Sequence, residues 1–184
     1  MIYPVTIIGN PTLRKKAEEI NKDYPQLEEI IENMWETMYS SDGVGLAAPQ
    51  INKSIRLVVI DGEPMADEDE TLKGFKKVFI NPTMIETRGE QILFNEGCLS
   101  IPGIREDVSR PSEITLRYYD TDFKEHTQDF KGVAARIIQH EYDHLEGVLF
   151  TDRLSAFRRK LLKSKLVAIS KGEHKAPYRT IPNK

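Results

Sequence analysis

Residues 133–147, "VAARIIQHEYDHLEG", decide the fold, because one segment carries both a helical apolar repeat and an unusual polar pair. Val133, Ile137, Ile138, His140, His144 and Leu145 lie in helical register, and Gly147 supplies a stop. His140 and His144 are about one helical turn apart, so their rings point the same way, with Glu141 roughly 100° further round the axis. An H-E-x-x-H pattern on a helix suits a metal ion and a base acting on water. The competing reading is a surface helix whose histidines are solvated or paired with Glu141 or Asp143. Ile137, Ile138 and Leu145 argue against it: a stripe that buries aliphatics takes both imidazoles inward, where they need partners and metal ligation supplies them.

Upstream, residues 23–45 place Leu27, Ile30, Ile31, Met34, Trp35 and Met38 at three- and four-residue spacing. That predicts an amphipathic helix entered near Pro25 and ended by Gly43. Between the two helices the period changes. "IRLVVID" (55–61) reads as a buried strand, "KVFINPTMIE" (77–86) and "GEQILFNEG" (89–97) as two more, and residues 113–130 as a hairpin turning near Asp120 to Asp122. Residues 154–170, "LSAFRRKLLKSKLVAIS", predict a last helix with Leu161, Leu162, Leu166 and Val167 on its core side. The acidic stretch 61–74 is aperiodic and bounded by glycines, so it reads as an exposed loop, and the tail 172–184 reads as irregular. Strands grouped between helices, rather than alternating with them, give an α+β class. No repeat or composition shift marks a boundary, so residues 1–184 are expected to form one domain.

A net charge of −3 excludes a surface that is wholly a nucleic-acid or anionic-membrane footprint. "MIYPVTIIGNP" (1–11) lacks a basic start and is broken by Pro4 and Pro11, and no apolar run reaches the roughly 18 residues of a membrane span. The expected location is the cytoplasm. One cysteine, Cys98, excludes an internal disulfide and leaves its thiol as packing, reactive group or ligand.

Two imidazoles do not complete a catalytic metal centre, which typically uses three protein ligands and keeps a position for water. One zinc-peptidase pattern continues as H-E-x-x-H-x-x-G-x-x-H; this chain follows it to Gly147 and then has Phe150 where the last histidine belongs. Another takes a glutamate from a following helix, yet residues 155–171 contain no acid, only Arg158, Arg159, Lys160, Lys163, Lys165 and Lys171. Glu173 serves only if the tail folds back. Cys98, in "NEGCLSIPG" (95–103), is the remaining soft donor. A lone cysteine is more often a small buried hydrophobe, but Gly97 permits unusual dihedrals or close approach, and the segment ends a strand, where functional groups are presented.

Three stretches together resemble the bacterial type of peptide deformylase: "GVGLAAPQ" (43–50), "EGCLS" (96–100) and "QHEYDH" (139–144), in the family's order and spacing. The resemblance implies removal of the N-formyl group from the initiator methionine of nascent polypeptides, releasing formate. It implies an α+β domain whose histidine-bearing helix packs against a strongly bent, mostly antiparallel sheet, between an N-terminal and a basic C-terminal helix. Cys98, His140 and His144 become the metal ligands, and Glu141 the acid–base residue that takes a proton from water and passes it to the leaving amine. Gln50 and the backbone N–H of Leu99 match the family's oxyanion pair. Val44 and Gly45 let the substrate backbone lie alongside as an added strand, and Gly97, Ile137 and His140 help to line a pocket for the methionine side chain. Arg105 is set against a substrate carbonyl and Arg110 near the cysteine, with surface salt bridges as the alternative for both.

One sulfur and two imidazoles favour zinc by ligand chemistry; the resemblance implies iron(II), with zinc, nickel or cobalt on the same ligands. Two further readings stand beside the deformylase. A zinc endopeptidase would cleave internal peptide bonds, and a non-catalytic module would use the basic last helix to meet ribosomal RNA.

Overall fold

A computed structural model describes residues 1–181. Its framework is a five-stranded antiparallel sheet with strand order β2-β3-β4-β5-β6, formed by Gly45–Ala47 (β2), Leu57–Asp61 (β3), Lys76–Cys98 (β4), Ile101–Tyr119 (β5) and Glu125–Lys131 (β6). Three helices accompany it: α1 (Leu27–Ser40), α2 (Gly132–Leu145) and α3 (Ala156–Ser170). The α+β class, the hairpin turn after Tyr119 and all three helices agree with the sequence reading.

β3 explains the layering. Its run of aliphatics is buried on both faces, as expected of a strand covered from two sides. Leu57 and Val59 join Ile30, Ile31, Met34 and Met38 of α1 in one cluster, while Val58 and Ile60 join Ala135, Ile138 and Leu145 of α2 in another. A third cluster joins Ile101, Ile104 and Val108 of β5 to Leu149, Phe150 and Ile169. α2 therefore sits at the centre of the molecule, its aliphatic stripe on the sheet.

The sequence suggested two strands over 77–97; the chain makes one, β4. Register shifts at Ile80/Thr83, Met84/Glu86 and Arg88/Gln91 bend it along β5, with Pro82 and a left-handed Gly89 (φ 83°) falling at those irregularities. Bulges absorb both residues without ending the ladder. The acidic stretch 61–74 is more ordered than an exposed loop: it folds into two short 3-10 turns, buries Leu72, and brings Asp69 to the start of α2, where its carboxylate accepts from the Val133 N–H at 3.3 Å. In α3, Leu162 and Leu166 pack inward beside the buried Ile169, but Leu161 and Val167 are exposed. The helix lies on the surface with a contact face narrower than its run of aliphatics suggests. The tail is not wholly irregular either, because Thr180–Ile181 (β7) pairs in parallel with Val5–Thr6 (β1); residues 182–184 of the expected irregular segment lie outside the described residues.

Candidate metal centre and cleft

Cys98 ends β4, and His140 and His144 occupy successive turns of α2, so the end of a strand and the central helix bring three soft or borderline donors together. One ligand atom from each lies within 4.8 Å of the others. The Cys98 sulfur is 3.4 Å from Nε2 of His144, and the two imidazole centroids are 5.2 Å apart. His140 spends Nδ1 on Glu96, 2.8 Å away, which leaves Nε2 available. Phe150, at the position of the absent third histidine, is buried and stacks 6.0 Å from the His140 ring.

The electrostatics fit a cation. Burial works against a charge on His140, but Cys98 and Glu96 outweigh it and hold that imidazole well above its ordinary value. Burial and the neighbouring His140 push His144 well below its own. The two rings are thus pushed in opposite directions, and a metal ligand must be free of its proton, so these residues could hold a cation in place of the proton on His140.

Glu141 is buried, with Oε2 unpartnered, and burial raises its carboxyl to about 7. An exposed helical glutamate is thereby excluded. Gly45 makes this placement feasible: a Cβ there would come within 2.6 Å of Glu141 Oε1. Gln50 is oriented by its neighbours. Its Oε1 accepts from the Ala47 N–H at 2.9 Å, which turns Nε2 toward Ser100 Oγ at 3.3 Å and the Cys98 sulfur at 3.6 Å. Leu99 follows in the two-residue turn between β4 and β5, and the Tyr178 hydroxyl donates to its carbonyl at 2.9 Å. Burial, then the adjacent Cys98, pushes that phenol up to about 12.

These groups open on a cleft of about 450 Å³ whose walls include Val44, Gly45, Gly97, Arg105, Ile137 and His140. Gly97 acts by close approach, not by an unusual dihedral, since a Cβ would come within 2.6 Å of Arg105 Nη1. Arg105 is exposed at the rim and bonded through Nε to Asn95 Oδ1 at 2.8 Å, with no ion pair among the described residues. Arg110 is no surface salt bridge. Fully buried, it holds Glu96, two residues before Cys98, through Nε and Nη2 at 2.7 and 2.9 Å, and Asp143 through Nη1 at 2.8 Å.

Glu96 is the residue that sequence reasoning passed over. It binds His140, Arg110 and Arg136 together. Burial raises its carboxyl, but the hydrogen bonds from His140 and Arg110 prevail and hold it well below the usual carboxylate range. Its position in "EGCLS" was the only available signal.

The model of the polypeptide deformylase family matches residues 2–160. The chain belongs to this family. Peptide deformylases from Christiangramia forsetii and Flavobacterium psychrophilum are 53% and 52% identical to it, each alignment covering 97% of this chain and 95% and 96% of the relative. The fold is similar to that of the Plasmodium falciparum deformylase in complex with an inhibitor (TM-score 0.78, 35% identity, 90% of this chain and 97% of that one). It is likewise similar to the Synechococcus elongatus deformylase in complex with actinonin (TM-score 0.79, 37% identity, 97% and 92%). The chain is a metal-dependent hydrolase of the deformylase family, which removes the N-formyl group from nascent peptides. The endopeptidase and the non-catalytic module lack that support.

Proposed function

We propose that Cys98, His140 and His144 hold the metal of this deformylase, and that Glu141 is its acid–base residue. The convergence of the three donor atoms within 4.8 Å, beside a buried carboxylate, carries the reading. The ion, when bound, supplies Lewis-acid activation of water and of the formyl oxygen. Glu141 accepts the proton of the attacking water and delivers it to the leaving amine, a role suited to a carboxyl tuned toward neutrality. The Gln50 amide and the Leu99 N–H receive the negative charge that develops on the formyl oxygen. Val44 and Gly45, at the outer edge of β2, align the peptide as an extra strand, and Gly97 and Ile137 border the methionine side chain. Arg105 at the rim meets a substrate carbonyl beyond it.

Formate release from a formyl-methionyl peptide, compared with the unformylated peptide, tests this directly. Glu141→Ala should abolish turnover with metal content retained, and Cys98→Ser should lose metal more than fold. Undiminished metal binding by Cys98→Ser would mean the third ligand is wrong.

The ion we assign is iron(II), although the donor set alone favours zinc and would also take nickel or cobalt. Anaerobically prepared protein should lose activity in air; air-stable activity with zinc alone overturns the assignment. No helix among the described residues is long and apolar enough to cross a membrane, and we place the work of the chain in the cytoplasm, as one domain. Docking to the ribosome falls to α3. Arg158 is paired with Glu106, whereas Arg159, Lys160 and Lys163 line a separate surface groove. Reversing those three charges should abolish salt-sensitive co-sedimentation with ribosomes.

A further inference from the structure

The turn Leu99–Ser100 joins β4 to β5, with Cys98 paired to Ile101 across it. So short a turn leaves its central carbonyls without ladder partners, and each needs a donor from elsewhere. Both donors come from the ends of the chain. The Ser100 carbonyl accepts from the Ile8 N–H at 2.9 Å, and the Leu99 carbonyl accepts from the Tyr178 hydroxyl at 2.9 Å. The ends are themselves joined, since the Val5 N–H donates to the Arg179 carbonyl at 2.8 Å beside the parallel pairing of β1 and β7. Tyr178 is therefore anchored from behind while its side chain forms part of the cleft wall. It also lies beyond residue 160, where the match to the family model ends.

We propose that Tyr178 is a positioning residue for deformylation: by holding the Leu99 carbonyl, it fixes the turn that presents the Leu99 N–H to the developing oxyanion. The inference rests on the role given to Leu99 above. An oxyanion donor is effective only when oriented before charge develops. The two peptides flanking Leu99 share its Cα, so restraint of its carbonyl limits the directions open to its N–H. Ser100 is already held, buried and bonded through its hydroxyl to Gln50 at 3.3 Å, so the Leu99 carbonyl is the turn group that depends on the C-terminal segment for its partner.

Tyr178→Phe keeps the ring and removes the donor. With the full-length, metal-loaded protein, kcat on a formyl-methionyl peptide should fall about 10-fold while KM changes by less than about two-fold, the pattern of an interaction felt in the transition state. Hydrogen–deuterium exchange of residues 98–101 should accelerate, with metal content and thermal midpoint unchanged. Unchanged kcat, unchanged exchange, or a loss confined to KM each overturn the proposal; the last would make Tyr178 a wall for substrate binding only. Glu141→Gln measured alongside separates the two levels. If that variant is dead while Tyr178→Phe is fully active, only the positioning role falls, whereas turnover by Glu141→Gln removes the hydrolytic scheme beneath it.

Discussion

Glu96 joins the cleft to the buried ion network. Its carboxylate fixes the His140 ring through Nδ1 and neutralises two buried guanidiniums, Arg110 and, bordering the cleft, Arg136. Replacing it by Gln keeps the shape and removes the charge. Exchanging the charged outer partner of the imidazole proposed as a ligand for an amide should weaken metal binding by about 10-fold or more. Leaving two buried cations with one fewer anion should destabilise the fold by about 3 kcal/mol. Competitive chelation and urea denaturation read these separately; a variant with native metal affinity would show that Glu96 serves the arginines alone. At this scale the sequence was informative where residue type itself limits the chemistry: two histidines four apart, a glutamate between them and the only cysteine. It was silent on the role of Glu96 and on the buried pairing of Arg110 with Asp143, because a charged residue looks like surface until its partners, 14 to 33 positions away for Arg110, are known.

α2 and α3 have similar lengths but different roles, and substitutions should respond accordingly. α2 ends at Leu145 and is followed by Gly147, whose φ of 73° suits glycine and whose missing Cβ leaves room for the Arg14 carbonyl, 2.6 Å from where that atom would stand. Gly147→Ala should cost on the order of 2 kcal/mol, since strain and a backbone clash coincide and no flexible side chain can yield. On α3, Ile169→Ala should cost about 2 to 4 kcal/mol and Leu161→Ala less than about 0.5 kcal/mol, both measured by urea denaturation. Equal losses would mean that α3 packs through a wider face than its 2% exposed Ile169 and 57% exposed Leu161 indicate. The helices were legible because period and stop residues are local. The continuity of β4 was not, because Gly89 looks like a terminator until the partner strand absorbs it in a bulge.

For the molecule as a whole, the buried carboxyls set opposing pH dependences once metal is removed. Glu141 titrates near 7 in the fold against an ordinary value of 4.5. Between those values the folded chain binds more protons than the unfolded one, so this group's contribution falls as pH rises. Glu96 is held below its ordinary value, so its contribution is present above the usual carboxylate range and lost as pH falls toward the folded value. The combined contribution of these two carboxyls in metal-free protein should therefore be greatest on the acid side of neutrality. Glu141→Gln should hold its stability to higher pH and exceed the native chain there by on the order of 2 kcal/mol. Urea titrations in chelator, from about pH 4 to about pH 8, test this; parallel curves for the two proteins would refute it. Such coupling could not be read along the chain, because it arises only when residues from β4, β5 and α2 share one interior.

β2 is three residues long and forms one border of the sheet. On the alignment proposed for Val44 and Gly45, a border that short offers main-chain partners to only the leading few units of an incoming polypeptide. A catalyst working by that proposal inspects the beginning of a message and leaves what trails behind unread.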